Sequence, residues 1–355
     1  MKKYNFSAGP CILPQEVLSK ASDSVKELNN SGLSLIEISH RSKDFVEVME
    51  KARSLVKELL NVPEGYSVLF LQGGASLQFI MTPYNFLKIG GKASYINTGT
   101  WSDKAVKEAK KIGEVVEVAS SKDQNFNYIP KEYTIPEDSD YIHITSNNTI
   151  FGTQFKTFPK TDKVLICDMS SDIFSRKINV SDFGMIYAGA QKNMGPAGAT
   201  LVIVKDELLG HTGRDIPSYL DYKVHIDKDS MFNTPPVFSV YTSMLTLEWL
   251  KSKGGVEAIE KINNEKATLL YDEVDRNPLF EGVAAVEDRS MMNVTFVLKN
   301  QEHQALFDSI WEAKGVSGIK GHRSVGGYRA SIYNGMPQEG IEVLVAAMKE
   351  LELNS

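Results

Sequence analysis

The stretch that most constrains this chain is Ile186-Tyr187-Ala188-Gly189-Ala190-Gln191-Lys192-Asn193-Met194-Gly195-Pro196-Ala197-Gly198. Residues 183–188 form an apolar run that reads as a short buried strand, and residues 199–204 form another. Between them the chain breaks into small residues, offers one lysine, and breaks again at Gly195-Pro196. Lys192 is therefore expected on a turn between two buried strands. An ammonium is costly to bury unless it is paired or neutral, so this is a poor place for a solubilising charge. A lysine whose pKa is lowered becomes a nucleophilic amine that condenses with carbonyls. A solvated lysine on a hairpin loop is the plainer alternative for this segment taken alone.

The segment upstream argues against that alternative. Val164-Leu165-Ile166-Cys167-Asp168 is an apolar strand ending in a carboxylate, 24 residues before the lysine (192 − 168). A carboxylate at a strand end and an amine at the next turn are the pair that pyridoxal phosphate (PLP) requires, one for the ring nitrogen and one for the aldehyde. Residues 68–71 form another strand, which runs into Gln72-Gly73-Gly74-Ala75-Ser76 and then a helix. Small residues at that junction let backbone N–H groups converge on an anion. No Gly-Lys-Ser/Thr follows, so this is not a nucleotide-binding Walker loop.

Length and composition bound the rest. A chain of 355 residues, 42% hydrophobic, suits a large domain and a small one with a substantial core. Its net charge of −6 argues against nucleic acid as a partner, while leaving room for small anions held by a few cations. Two cysteines, Cys11 and Cys167, are too few for a disulfide framework. Met1-Lys2-Lys3 leads into Tyr4-Asn5-Phe6-Ser7 rather than an apolar stretch, and no run is long enough to span a bilayer. A cytoplasmic protein with no membrane partner and no metal is expected.

Along the chain, Pro14 is expected to open a helix whose stripe is Val17, Leu18, Ala21, Val25 and Leu28. A second helix follows His40 and Arg41, with Asp44 and Glu47 as its capping box and Phe45, Met49, Ala52, Val56 and Leu59 as its buried face. Strands are expected at 93–97, 115–118 and 141–144, with Trp101 at the start of an intervening helix. Strands alternating with helices from residue 60 onward imply mostly parallel pairing, with ligands at the carboxyl edge where Asp168 sits. Met231-Phe232-Asn233-Thr234-Pro235-Pro236 is a stiff loop, because its prolines restrict the backbone. Two helices then precede a tail that reads as α+β: a strand at 292–298, a helix, a glycine-rich loop holding His322 and Arg323, a strand at 328–333 and a last helix. The expected division is a large domain over 16–260 and a small one made of 1–15 and 261–355. Arginines and a histidine near a glycine-rich loop make a plausible clamp for carboxylate or phosphate, or else ordinary surface charge.

Taken together, residues 187–198, Ser39-His40-Arg41, Asn233-Thr234-Pro235-Pro236 and Gly321-His322-Arg323 resemble the phosphoserine aminotransferase family, class V PLP enzymes of fold type I. The resemblance spans nearly the whole chain, from Asn5-Phe6-Ser7-Ala8-Gly9-Pro10 to Arg329-Ala330-Ser331-Ile332-Tyr333-Asn334. It implies an α/β large domain with a mostly parallel seven-stranded sheet flanked by helices, plus the small α+β domain. It implies Lys192 and Asp168 as catalytic residues. Cofactor contacts would come from Ala75, Ser76, Trp101, Thr149, Gln191, Asn233 and Thr234, the last two reaching across a homodimer interface. His40, Arg41, His322, Arg323 and Arg329 would bind substrate, with Arg329 on the α-carboxylate. The implied reaction exchanges an amino group between phosphoserine and 2-oxoglutarate, giving glutamate and 3-phosphohydroxypyruvate, as in serine biosynthesis. A side activity on 4-phosphohydroxy-L-threonine in vitamin B6 synthesis is also known in the family. One departure stands out: Ser76 occupies a position where some members carry arginine, so anion-binding charge must come from elsewhere.

Two rivals share the chemistry. A cysteine desulfurase needs a nucleophilic cysteine on a mobile late loop, and neither Cys11 nor Cys167 is placed for that. An alanine- or serine-glyoxylate aminotransferase would not need so many cations for a distal anion. A binding protein without catalysis is disfavoured by the intact Asp168 and Lys192.

Overall fold

The computed structural model describes residues 3–355. In chain order the elements are β1 (Tyr4–Asn5), α1 (Gln15–Lys26), α2 (Lys43–Leu60), β2 (Tyr66–Leu71), α3 (Gly74–Phe86), β3 (Lys92–Asn97), α4 (Thr100–Ala109), β4 (Glu114–Ser120), β5 (Ser139–Thr145) and β6 (Val164–Asp168). They continue with β7 (Met185–Gly189), β8 (Thr200–Lys205), α5 (Tyr222–Asp227), α6 (Val237–Ser252), α7 (Gly255–Arg276), β9 (Phe280–Gly282), β10 (Asn293–Leu298), α8 (Gln304–Ala313), β11 (Val316–Ser317), β12 (Tyr328–Ser331) and α9 (Gln338–Leu353).

Seven strands form the main sheet in the order β2-β8-β7-β6-β5-β3-β4. Pairing is parallel from β7 through β6, β5 and β3 to β4, while β8 runs antiparallel to both β2 and β7. The strands carry apolar residues on both faces, as a sheet covered on both sides requires. Ile186 and Ala188 of β7 join Ile142, Cys167 and Ile203 in one core with α1, α2 and α6. Met185 and Tyr187, one residue out of phase, join Tyr95, Ile166 and Val202 in another, under α3 and α4. The period-two alternation thus decides which helix layer each side chain meets.

The chain steps outward from β3 to β4, then returns to the other side of β3 as β5 and continues to β6 and β7. The crevice between the carboxyl ends of β3 and β5 is therefore the switch point where open α/β sheets bind ligands.

A second core is built by the end of α7 (Ala267, Leu270, Val274), by β10, β12, α8 and α9, and by Tyr4 and Phe6 of the N-terminal arm. β9, β10 and β12 form an antiparallel sheet, and β1 pairs in parallel with β11. α7 starts in the first core, with Val256 and Ile259, and ends in the second. Lys266, midway along α7, is fully buried and donates to the carbonyls of Ile332, Tyr333 and Met336 at 2.8–3.1 Å, so its three N–H bonds all find acceptors.

Two local expectations are corrected. α2 is capped by Ser42, whose hydroxyl accepts from the Phe45 N–H, and not by a box of Asp44 and Glu47. In α1, Leu18 and Val25 are 44% and 38% exposed while Ser24 is buried, so the helix meets the core along a seam rotated from the apolar stripe. Among the described residues no helix is long and apolar enough to cross a membrane.

Candidate active site

The carboxyl edge of the main sheet opens into a cavity of about 400 Å³, lined by residues that follow β2, β3, β5, β6 and β7 and by the start of the N-terminal arm. Asp168 is the last residue of β6 and is 4% exposed. The chain turns sharply after it, so that the Ser170 N–H donates to Asp168 Oδ1 at 2.9 Å. Burial pushes the carboxyl above its ordinary range, while the Ser170 hydrogen bond and the Lys192 charge pull it back. Behind it lies a second buried carboxylate, Asp172, held by Gln154 Nε2 at 3.1 Å and Arg176 at 3.2 Å. Ser146 bridges the two acidic residues, its single hydroxyl proton lying between the Asp168 carbonyl and Asp172 Oδ1.

Lys192 lies on the loop that joins β7 to β8, closed at its neck by Ala190 N donating to the Ala199 carbonyl at 3.0 Å. Gly195 allows the loop to press on α6, since a Cβ there would fall 3.2 Å from the Ser243 Cα. Lys192 is 8% exposed; its Nζ donates to Thr149 Oγ1 at 2.6 Å and stands 5.4 Å from the centre of the Trp101 ring. Burial pushes the amine down to about 8, with the Asp168 charge opposing and the Arg329 charge assisting. At neutral pH an appreciable fraction is then the free nucleophile, whereas an ordinary lysine has almost none.

The N-terminal arm closes over this lysine. Gly9 has φ +147° and its Cα faces the Lys192 stem, where a Cβ would come within 3.3 Å of Cγ. Cys11 N donates to the Gln191 carbonyl at 3.0 Å, and the Cys11 thiol points at the Lys192 carbonyl. Burial pushes that thiol up to about 12, and Cys167 is fully buried within β6. Neither is a thiolate nucleophile, which removes the main requirement of a desulfurase.

Trp101 is in the first turn of α4, admitted by Gly99 at φ 148°, where any side chain would strike Asn148. Its ring edges the cavity, and its buried indole Nε1 has no partner. Gly73 takes φ 84° as the cap of α3, so Gly74, Ala75 and Ser76 bring the first-turn amides of that helix to the cavity wall. Those N–H groups have no intrahelical acceptor and favour an anion. Gln191, Thr149, His322 and Arg329 also line the space. Arg329, on β12, brings the second core to the site; its Nε is buried without a partner.

Not every expected residue converges here. His40, Arg41, Arg323, Asn233 and Thr234 are absent from the cavity wall of the single chain. Arg41, Arg323, Asn233 and Thr234 are exposed, while His40 is buried with Nε2 unpartnered. Conversely, the wall includes Lys104, Asn147 and Ser170, which sequence reasoning did not select. Asn147 donates to Ser171 Oγ and Asn293 Oδ1, both at 2.8 Å, and so ties the loop after β5 to β10. Its place in the polar run Ser146-Asn147-Asn148-Thr149 looks like any turn, and Lys104 like any helix-surface lysine.

The donor set suits a flat heteroaromatic aldehyde bearing a phosphate. Free helix amides could meet the phosphate, the Trp101 ring the cofactor ring, the buried carboxylate of Asp168 a cationic ring nitrogen, and the depressed amine of Lys192 the aldehyde. Pyridoxal phosphate has all four features.

Comparison with known proteins places nearly the whole chain in a family. Residues 3–344 match the family model for class-V aminotransferases. The phosphoserine aminotransferase of Flavobacterium psychrophilum is 64% identical over 353 residues, covering 99% of each chain. The solved phosphoserine aminotransferase from Bacillus circulans subsp. alkalophilus superposes with a TM-score of 0.96 at 44% identity, covering 99% of both chains. A PLP-bound phosphoserine aminotransferase from Trichomonas vaginalis gives a TM-score of 0.93 at 38% identity, covering 98% of this chain and 100% of that one.

Proposed function

Because this chain belongs to the class-V aminotransferases, and within them to the phosphoserine aminotransferase family, we propose that it moves the amino group between phosphoserine and 2-oxoglutarate, with Lys192 and Asp168 as its catalytic pair. The observation that carries the reading is that juxtaposition: a buried amine pushed to about 8 and a buried carboxylate on neighbouring strand ends of one cavity.

The cofactor is pyridoxal phosphate, which supplies an aldehyde for the amino group and a protonated ring that draws electrons from the substrate Cα. Asp168 would hold the proton on the ring nitrogen, and its burial would strengthen that interaction because little water competes. Trp101 would stack on the ring, and the Thr149 hydroxyl would hold the ring oxygen. The amides and hydroxyl at Ala75 and Ser76 would grip the phosphate, with Gln191 beside them. With the cofactor bound, Lys192 Nζ would be the base that takes the substrate Cα proton and the acid that delivers it to the former aldehyde carbon, across the nitrogen that joins them. A depressed pKa suits both duties near neutral pH. Arg329 takes the α-carboxylate, which both substrates share, so one clamp serves both half-reactions.

The remaining residues act in a homodimer. Arg41, Asn233 and Thr234 are exposed in the single chain, and so are the large apolar side chains Leu33 (51%), Ile36 (62%) and Phe232 (39%) beside them. Apolar exposure next to site residues fits a surface covered by a second copy. From that copy Asn233 and Thr234 would complete the phosphate site, and His40 and Arg41 would join His322 and Arg323 at the distal anion. Two unpaired cysteines agree with a cytoplasmic setting.

The deciding assay supplies glutamate and 3-phosphohydroxypyruvate and measures phosphoserine and 2-oxoglutarate. Turnover with glyoxylate or pyruvate but not with 3-phosphohydroxypyruvate would replace this reading with that of another class-V aminotransferase.

A further inference from the structure

We propose that Lys104 is a specificity-determining residue: its ammonium meets the distal phosphate of the substrate at the mouth of the cavity, a contact that favours a dianion over a carboxylate. The inference rests on the phosphoserine reading above and adds to it a residue from the helix that carries Trp101.

Lys104 lies three residues after Trp101 on α4, on the same side of the helix. It lines the cavity together with Ser76, Trp101, His322 and Arg329. Its Nζ stands 4.6 Å from the centre of the Trp101 ring, near enough for the ring face to hold the ammonium in place. The acidic residue one turn further along the helix, Glu108, is engaged by Lys111 at 2.8 Å, and the adjacent Asp103 by Lys107 at 2.7 Å. Among the described residues no carboxylate pairs with Lys104. The only acidic group on the cavity wall is Asp168, beneath the ring site, against Lys104, Lys192, His322 and Arg329. These cations act on one another: burial and the charges of Arg329, Arg323 and Lys104 push His322 towards its neutral form. On the outer wall, among the described residues, Lys104 and Arg329 meet no carboxylate, which describes a place that receives an anion.

Depth assigns the roles. Lys192 is buried at the floor, Arg329 is half-buried, and His322 and Lys104 are exposed at the mouth. A substrate whose Cα reaches Lys192 and whose α-carboxylate meets Arg329 directs its far end outward, to Lys104 and His322. Ser76 brings no charge to this wall, so a lysine one helix away supplies what that loop does not. Phosphate near neutral pH carries almost two charges and glutamate's distal carboxylate one, so the cation discriminates between them.

The test measures equilibrium binding to the holoenzyme by calorimetry, using two ligands that have no amino group and cannot react: 3-phosphoglycerate, with a distal phosphate, and glutarate, with a distal carboxylate. In Lys104→Gln the dissociation constant for 3-phosphoglycerate should rise about tenfold at low ionic strength, and that for glutarate by no more than about twofold. The difference should shrink as salt is added, and Lys104→Arg should restore most of it. Unchanged 3-phosphoglycerate binding in Lys104→Gln, or equal weakening of both ligands, overturns the role of Lys104 while leaving the phosphoserine reading in place. A wild-type enzyme that does not turn over phosphoserine overturns both.

Discussion

Lys192 Nζ lies 2.6 Å from Thr149 Oγ1, a hydrogen bond between the loop after β7 and the loop after β5, across the strand that ends in Asp168. The hydroxyl holds the amine over the crevice without supplying a negative charge. The lysine therefore remains buried with only the partial help of Asp168, and its proton affinity falls.

That fall makes stability depend on pH in a definite sense. The amine has a pKa of about 8 in the folded chain against an ordinary 10.5. Below about 8 both the folded and unfolded chains carry the charge, and the folded chain bears the full cost of burying it. Between 8 and 10.5 the folded chain has lost the proton that the unfolded chain still holds, so stability rises with pH until the cost disappears. In cofactor-free protein, Lys192→Met should therefore gain on the wild type by about 2–3 kcal/mol more at pH 7 than near pH 10.5, measured by urea unfolding. A difference independent of pH would show that the amine is not perturbed.

Asp168→Asn should retain pyridoxal phosphate, because the amides of α3 and the Trp101 face are untouched. Turnover should fall by about three orders of magnitude, since a neutral amide does not hold the proton on the ring nitrogen. Cofactor content from the absorption spectrum and kcat from the glutamate assay separate the two effects. A kcat within about tenfold of wild type would remove Asp168 from the chemistry.

The exposed loop bearing Asn233 and Thr234 is stiffened by Pro235 and Pro236, and Gln72 anchors it through the Thr234 carbonyl. Sedimentation should find a dimer. Ile36→Asp combined with Phe232→Asp should dissociate it and weaken cofactor retention at least about tenfold, as expected for charges placed on a buried apolar interface. Asn233→Ala should weaken retention while leaving the dimer intact. A monomeric variant that keeps full cofactor affinity would show that each chain builds its phosphate site alone.

The arginines should separate the two substrates. Arg329→Ala removes the half-buried guanidinium on the cavity wall and should lower kcat/KM for phosphoserine and for glutamate alike, by about 2–5 kcal/mol of binding. Arg41→Ala and Arg323→Ala should penalise phosphoserine more, because the second charge of its phosphate is then less well matched. Measuring the two half-reactions separately in each variant gives the comparison. Equal losses in all three would mean that the distal pocket is made by other residues.

The sequence by itself determined the parts of this protein that are written in short-range pattern. The apolar run at 164–168 ends at Asp168 and is β6. The interrupted run around Lys192 is the loop between β7 and β8, and the stripe Phe45, Met49, Ala52 and Val56 is the buried side of α2. These follow from the periods of strand and helix, which need only neighbours along the chain. Tertiary structure alone decided which distant pieces meet. β8 runs against its neighbours between β2 and β7, because the short loop carrying Lys192 leaves no room for a crossover helix. Gly9 reaches Lys192 from 183 residues away (192 − 9), Arg329 arrives from a second core, and Lys104 turns an ordinary helical position into part of the cavity wall. Leu18 and Val25 face solvent although their spacing is apolar, because α1 touches the core only along a narrow seam. Periodicity records which side of an element turns inward; what it turns toward depends on packing among segments far apart in sequence, and there the cation-lined mouth of this site is formed.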